Sequence, residues 1–259
     1  MRAEVSSPYP EPDYFPSSAI RWGLPAALVS VAFTAIAGLF GGFVVIAVGL
    51  RSAGVTAFVL DLVVYGALAA FALYLSRRRG LGTLTADFGL LFRWIDLVTG
   101  FGLAVAYTVV TAVVNALVTA ATDHHPAGNA ELSPNVLWNV LSAITAILIA
   151  PFVEELLVRG LLMRSIRHRI LRSAPHEPTA ARRGAAVTLS ILVSALVFAG
   201  LHLHESKDLV SGVALGLITF LFGAGLALVA TRTGRLGPGI VAHAFSNAIV
   251  VVLLLVTAH

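Results

Sequence analysis

The run from Val136 to Met163 is predominantly apolar, yet it carries Glu154, Glu155 and Arg159 within the stretch PFVEELLVRG at 151–160. A charge at the centre of a bilayer costs about 2.5–3.5 kcal/mol on insertion scales, so three of them need partners or a function. On a helix, Glu155 and Arg159 stand four apart on one face and can pair. Glu154 is turned about 100° from Glu155 and roughly 140° from Arg159. It is the carboxylate left over, and an embedded carboxylate without a local partner marks a candidate functional site. Pro151 has no N–H to donate, so it frees the carbonyl of Ile147 and is expected to kink the helix one turn before Glu154.

The 259-residue chain around this motif is 58% hydrophobic and 12% charged, with mean hydropathy +0.92. A soluble domain carries about twice that charged fraction. Several apolar stretches reach the ~20 residues that cross a bilayer as helix. The fold class read from this is an all-α polytopic membrane protein with about seven transmembrane helices. The basic residues flank the spans, so a pI near 10.0 reflects topology and not nucleic-acid binding. There is no cysteine, hence no disulfide, thiol nucleophile or thiolate metal site.

Residues 1–21 are rich in proline and serine and read as a disordered cytoplasmic tail. Their length, their acidic residues and the long apolar run that follows argue against a signal peptide. Residues 22–259 then read as a single transmembrane helical domain. Asp61, in the second span, reads as a hydrogen-bonded buried carboxyl near the outer interface. Residues 80–95 mix aromatics with Asp87 and Arg93, as a surface-lying amphipathic segment does. His124 and His125 after the third span, and His168 and His176 after the fourth, read as solvated. Gly212, Gly216, Gly223 and Gly225 on the sixth span invite close helix packing.

Of the seventeen Lys and Arg, fourteen fall in the tail and in the loops at 77–95, 164–184 and 231–239, against Arg51 and Lys207 on the alternate side. That bias places the N-terminus in the cytoplasm. The Arg- and Ala-rich, Lys-poor composition suggests a GC-rich genome and a multi-pass protein of a bacterial plasma membrane.

Intramembrane polar residues gather on three spans: Glu154, Glu155 and Arg159; His202, with His204 close by; and His243 with Asn247. Phe198 and His202 are four apart, as are His243 and Asn247, so each pair shares a helix face. One carboxylate, two imidazoles and an amide supply a general base and donors for an oxyanion. A Ser or Cys nucleophile elbow is lacking, and so is the His-Glu-x-x-His zinc helix. Water activated by a carboxylate and an imidazole fits what remains.

At these residues the sequence resembles a known family. EExxxR (Glu154, Glu155, Arg159), FxxxH (Phe198, His202) and HxxxN (His243, Asn247) resemble the three motifs of the CAAX-prenyl-protease and bacteriocin-processing group, also called the CPBP or Abi family. Their order and spacing match, and RG at 159–160 with RTGRLGPGIVAHAFSN at 232–247 strengthens the likeness, which covers residues 80–255. The resemblance implies an intramembrane endopeptidase, a hydrolase acting on a membrane-associated peptide or protein substrate in the lipid bilayer. Relatives with immunity or surface-protein roles are the other implication. It assigns Glu154 and His202 to holding and activating the attacking water, and His243 and Asn247 to the oxyanion. Glu155, Arg159 and Phe198 would support the site. The family name is metalloprotease-like, but the residues suit glutamate chemistry with no cofactor. The alternative is zinc held by Glu154, His202 and His243. His204 is the alternative to His202. Oligomeric state and the use of prenylated substrates stay open.

Along straight helices, Glu154 lies roughly 15–20 Å from the inner interface and His202 about 28 Å from Arg183. For the two to share a water, the fifth span must protrude or tilt, and the expectation is that its helix continues back through residues 179–184. Two other function classes compete. One is a non-catalytic membrane immunity or scaffold protein that uses the polar cluster to bind a partner. The other is a proton-coupled transporter, whose usual internal repeat is not visible here.

Overall fold

The computed structural model describes residues 19–127, 130, 132–173 and 178–257. Among these described residues, seven helices are long and apolar enough to cross a membrane: α1 (Leu24–Val48), α2 (Ala53–Arg79), α4 (Ile95–Thr122), α5 (Val136–Arg172), α6 (Ala180–Glu205), α7 (Leu209–Thr233) and α8 (Gly237–Thr257). A short α3 (Leu84–Phe88) joins α2 to α4. This is the all-α polytopic membrane protein that hydropathy predicts. The outward faces are apolar, with Leu39, Ile46 and Leu209 at 78%, 80% and 83% exposure. Water would penalise such a belt and lipid does not.

The broadest packing joins α6 to α7 and α8 to α4, and α5 packs against both α2 and α6. α4 and α8 approach closely at Gly100, where a Cβ would overlap the side chain of Val241. Trp22, Leu75, Phe88, Leu156, Leu161 and Leu236 form the main core. Val158, Phe198, Phe222, Leu226 and Ala242 form a second core around the acidic motif.

The connection from α2 to α4 departs from a simple surface segment. Asp87 is 1% exposed and Phe88 is fully buried. The Asp87 carboxylate accepts from Trp22 Nε1 at 2.9 Å, Ser76 Oγ at 2.7 Å and the Leu81 N–H at 2.9 Å. With three donors satisfied, a carboxylate can sit inside. Phe92 and Trp94 further on remain exposed, as an interfacial segment requires.

His168 also differs from expectation. It is 4% exposed, with its ring 5.2 Å from that of Trp22. The basic end of α5 folds onto the segment that precedes α1 instead of standing in water. Ile20 is buried there and its carbonyl accepts from Arg172, while the Arg21 N–H donates to the Arg79 carbonyl at 2.7 Å. Residues 1–18 of the expected tail, and His176, lie outside the described residues. His124 and His125 are exposed, as their loop position suggests.

Candidate active site

α5 is one continuous helix, but two of its segments are wound wide, Thr145–Ile149 and Leu156–Met163. Wide turns of this kind recur at functional sites. In the first, the Ala150 N–H donates to the Thr145 carbonyl, five residues back. The next carbonyl, that of Ala146, would need the N–H of residue 151, which is proline. In this wide register it is the carbonyl of Ala146 that proline leaves free, one residue before the Ile147 of regular helical spacing. The Asn247 side-chain amide, from α8, donates to it at 2.6 Å.

Beyond Pro151 the two carboxylates face different neighbours. Glu155 and Arg159 are both fully buried, with Oε1 and Nη1 2.8 Å apart. The remaining capacity of Arg159 is used across the bundle: Nη2 donates to the Gly223 carbonyl at 3.1 Å, and the guanidinium lies 4.3 Å over the Phe198 ring. Glycine suits the contact, since a Cβ at residue 223 would come within 3.1 Å of Nη2 and 3.2 Å of Phe198, closer than most such contacts. Of the glycines on α7 expected to serve packing, Gly223 thus admits an ion pair, whereas Gly225 faces open space. His243 also faces Glu155, with Nδ1 3.7 Å from Oε1. That contact is invisible in the spacing of either motif.

Glu154 points elsewhere and keeps some access, with 24% of its side chain exposed against 17% for His202. Its Oε2 lies 3.9 Å from His202 Nε2. Its Oε1 accepts from the Tyr65 hydroxyl at 3.1 Å. His202 Nδ1 is 2.8 Å from the Phe198 carbonyl. A carbonyl only accepts, so Nδ1 carries a ring proton, and the Nδ1–H tautomer of imidazole turns an Nε2 lone pair towards Glu154. Two acceptors then face each other across a gap that the two O–H bonds of one water can satisfy.

The long reach of α6 has a simple origin. Arg182 Nε donates to the Ile170 carbonyl at 2.9 Å, so the α5–α6 turn lies beyond Arg164 and Arg167. From that contact Glu154 is sixteen residues back and His202 twenty residues on. α6 does begin at Ala180, as the continuation through 179–184 predicts. α5 extends equally, to Arg172, and the two rises nearly match.

The start of α8 is fixed by a clasp. Arg235 Nη2 pairs with Asp96 Oδ1 at 2.7 Å, Leu236 N–H donates to Gly89 at 2.8 Å, and Arg164 Nη2 donates to Gly234 at 3.0 Å. Helix therefore begins at Gly237, and His243 enters the second core edge-on to Phe198 and Phe222, each 5.6 Å away between ring centroids. Phe198 touches Arg159, His202 and His243, and so packs against residues of all three motifs.

The donors named for zinc do not converge. Among the described residues no three His, Asp or Glu side chains are placed to hold a metal ion. Glu154 and His202 face each other, while His243 turns its Nδ1 to Glu155. The residues present do not fit a zinc held by three protein ligands. His204, the alternative imidazole, is exposed at the end of α6 with Nδ1 2.6 Å from the Leu201 carbonyl.

Sequence reasoning missed Tyr65, since the motifs direct attention to the later spans. The signal that could have found it is the buried face of α2. Asp61, Tyr65, Leu68, Ala72 and Leu75 follow the period of one helix face, and the last three are buried.

Fold and site together define a polytopic helical membrane protein with an internal carboxylate–imidazole pair. Residues 136–249 match the family described as Rce1-like, type II CAAX prenyl endopeptidase Rce1-like. That match spans the stretch that carries the three motifs, in line with the resemblance they suggest. No curated protein and no solved structure matches the chain.

Proposed function

We propose that this protein is a CAAX-type intramembrane endopeptidase that hydrolyses a peptide bond with water activated by Glu154 and His202. The observation that carries the proposal is the 3.9 Å approach of His202 Nε2 to Glu154 Oε2, with the Nδ1 proton already committed to Phe198. A water between them gives one proton to the pair as its oxygen bonds to the substrate carbonyl carbon. When the C–N bond breaks, that proton passes to the leaving amine, and the carboxylate and the imidazole are both regenerated.

The oxyanion falls to His243 and Asn247. One N–H of the Asn247 amide is held by Ala146, which leaves the second for the substrate. His243 turns Nδ1 to Glu155 at 3.7 Å, which leaves Nε2 to donate to the substrate oxygen. Removing such a donor typically lowers turnover by about 10²–10³. The arginine-rich ends of α2, α5 and α7 lie on the cytoplasmic side in this reading, with the N-terminus there too.

The test is mass-spectrometric detection of cleavage by purified protein in detergent. Substrates would be peptides ending in a CAAX-type sequence, prenylated and unprenylated. Cleavage by the wild type and none by His202→Ala supports the reading. Equal inactivity of both towards all peptides favours a non-catalytic family member.

A further inference from the structure

Residues 136–249 carry every member of the proposed catalytic set, yet Glu154 is held by a residue from outside that stretch. We infer that Tyr65 on α2 is a positioning residue for Glu154: its phenol fixes Oε1 so that Oε2 is the oxygen presented to His202. This inference rests on the reading of Glu154 as the group that activates water.

The geometry leaves Tyr65 little other work. Its hydroxyl donates to Oε1 at 3.1 Å, whereas Oε2 is buried with no hydrogen-bond partner among the described residues and lies 3.9 Å from His202 Nε2. A carboxylate on a three-bond side chain turns freely unless one oxygen is tied. Tying Oε1 selects which oxygen meets the water and saves the ordering that would otherwise accompany each turnover. The electrostatic setting argues the same way. Asp61, one turn before Tyr65, and Glu205, at the end of α6, are acidic neighbours of the phenol together with Glu154. Arg159 on α5 is already engaged by Glu155 and Gly223. Among crowded acids, a neutral donor holds Glu154 without adding a charge to the bundle.

Tyr65→Phe tests this, because it deletes one oxygen and keeps the ring. Two readouts are needed. The first is the infrared carboxylate signal of Glu154, isolated as the difference between each protein and its Glu154→Gln counterpart. It should shift in the Tyr65→Phe background, and this requires no substrate. The second is steady-state cleavage, where kcat should fall about 10- to 100-fold, the loss of one hydrogen bond to a charged group, with KM nearly unchanged. Tyr65→Leu, which also removes the ring, separates packing from hydrogen bonding: its additional loss should appear in melting temperature. A Glu154 signal identical in wild type and Tyr65→Phe overturns the inference, and so does a normal kcat in Tyr65→Phe. Full activity of Glu154→Gln overturns instead the reading of Glu154 as the activating group, and the infrared comparison still decides whether Tyr65 orients it.

Discussion

The Asn247 side-chain amide donates to the Ala146 carbonyl at 2.6 Å, at the point where proline at 151 withholds a backbone N–H. The bond joins α8 to α5 about two turns ahead of Glu154, and it gives Asn247 a structural task beside the proposed oxyanion task. Asn247→Ala strands a carbonyl inside the bundle and should cost about 1–3 kcal/mol of stability. Turnover should fall by about 10²–10³. The two effects separate in a double variant, since Pro151→Ala restores an N–H for the carbonyl. Pro151→Ala with Asn247→Ala should melt near the wild type and remain slow. If turnover recovers with stability, Asn247 serves the fold alone.

The second prediction concerns the glycine in front of Glu155. A Cβ at Gly239 would lie 2.9 Å from Glu155 Oε2, on a side chain locked by Arg159 and faced by His243. Gly239→Ala should therefore lower stability by about 1–3 kcal/mol, as overpacking does. Gly225→Ala on α7 meets no atom within 4 Å and should gain up to about 1 kcal/mol of helix propensity. Thermal melts of the two variants in one detergent check this. Equal melting temperatures would contradict the packing assigned to Gly239.

The third concerns metal. Glu154 and His202 form one pair, and His243 belongs with Glu155. Cleavage activity should survive exhaustive chelation, because a zinc site needs three protein ligands converging on one point. Stoichiometric zinc in the purified protein, with activity lost on its removal and regained on its return, would contradict this.

The fold was largely legible from sequence because bilayer length and hydropathy act locally. Each span announces itself, and the Glu155–Arg159 pair follows from helical spacing alone. What escaped depends on the path of the backbone in three dimensions. The wide turn before Pro151 leaves the Ala146 carbonyl to the Asn247 amide, which regular helical spacing does not foretell. The apparent mismatch between Glu154 and His202 came from taking Arg164–Arg167 as the end of α5, which runs on to Arg172. His168 looks solvated in a run of arginines, but Trp22 and Phe88, distant in sequence, form the core it joins. Tyr65 and the His243–Glu155 contact are tertiary meetings between residues that carry no mark of each other.

The central claim is a division of labour between adjacent carboxylates, with Glu154 for chemistry and Glu155 for structure. It is tested most directly by cleavage rates and melting temperatures of Glu154→Gln and Glu155→Gln measured side by side. Glu154→Gln should melt close to the wild type and show no turnover, since it is nearly isosteric and removes a costly embedded charge. Glu155→Gln strands a fully buried Arg159 and should lose roughly 3–5 kcal/mol. A stable, inactive Glu155→Gln beside an active Glu154→Gln would contradict the account and reverse the two roles.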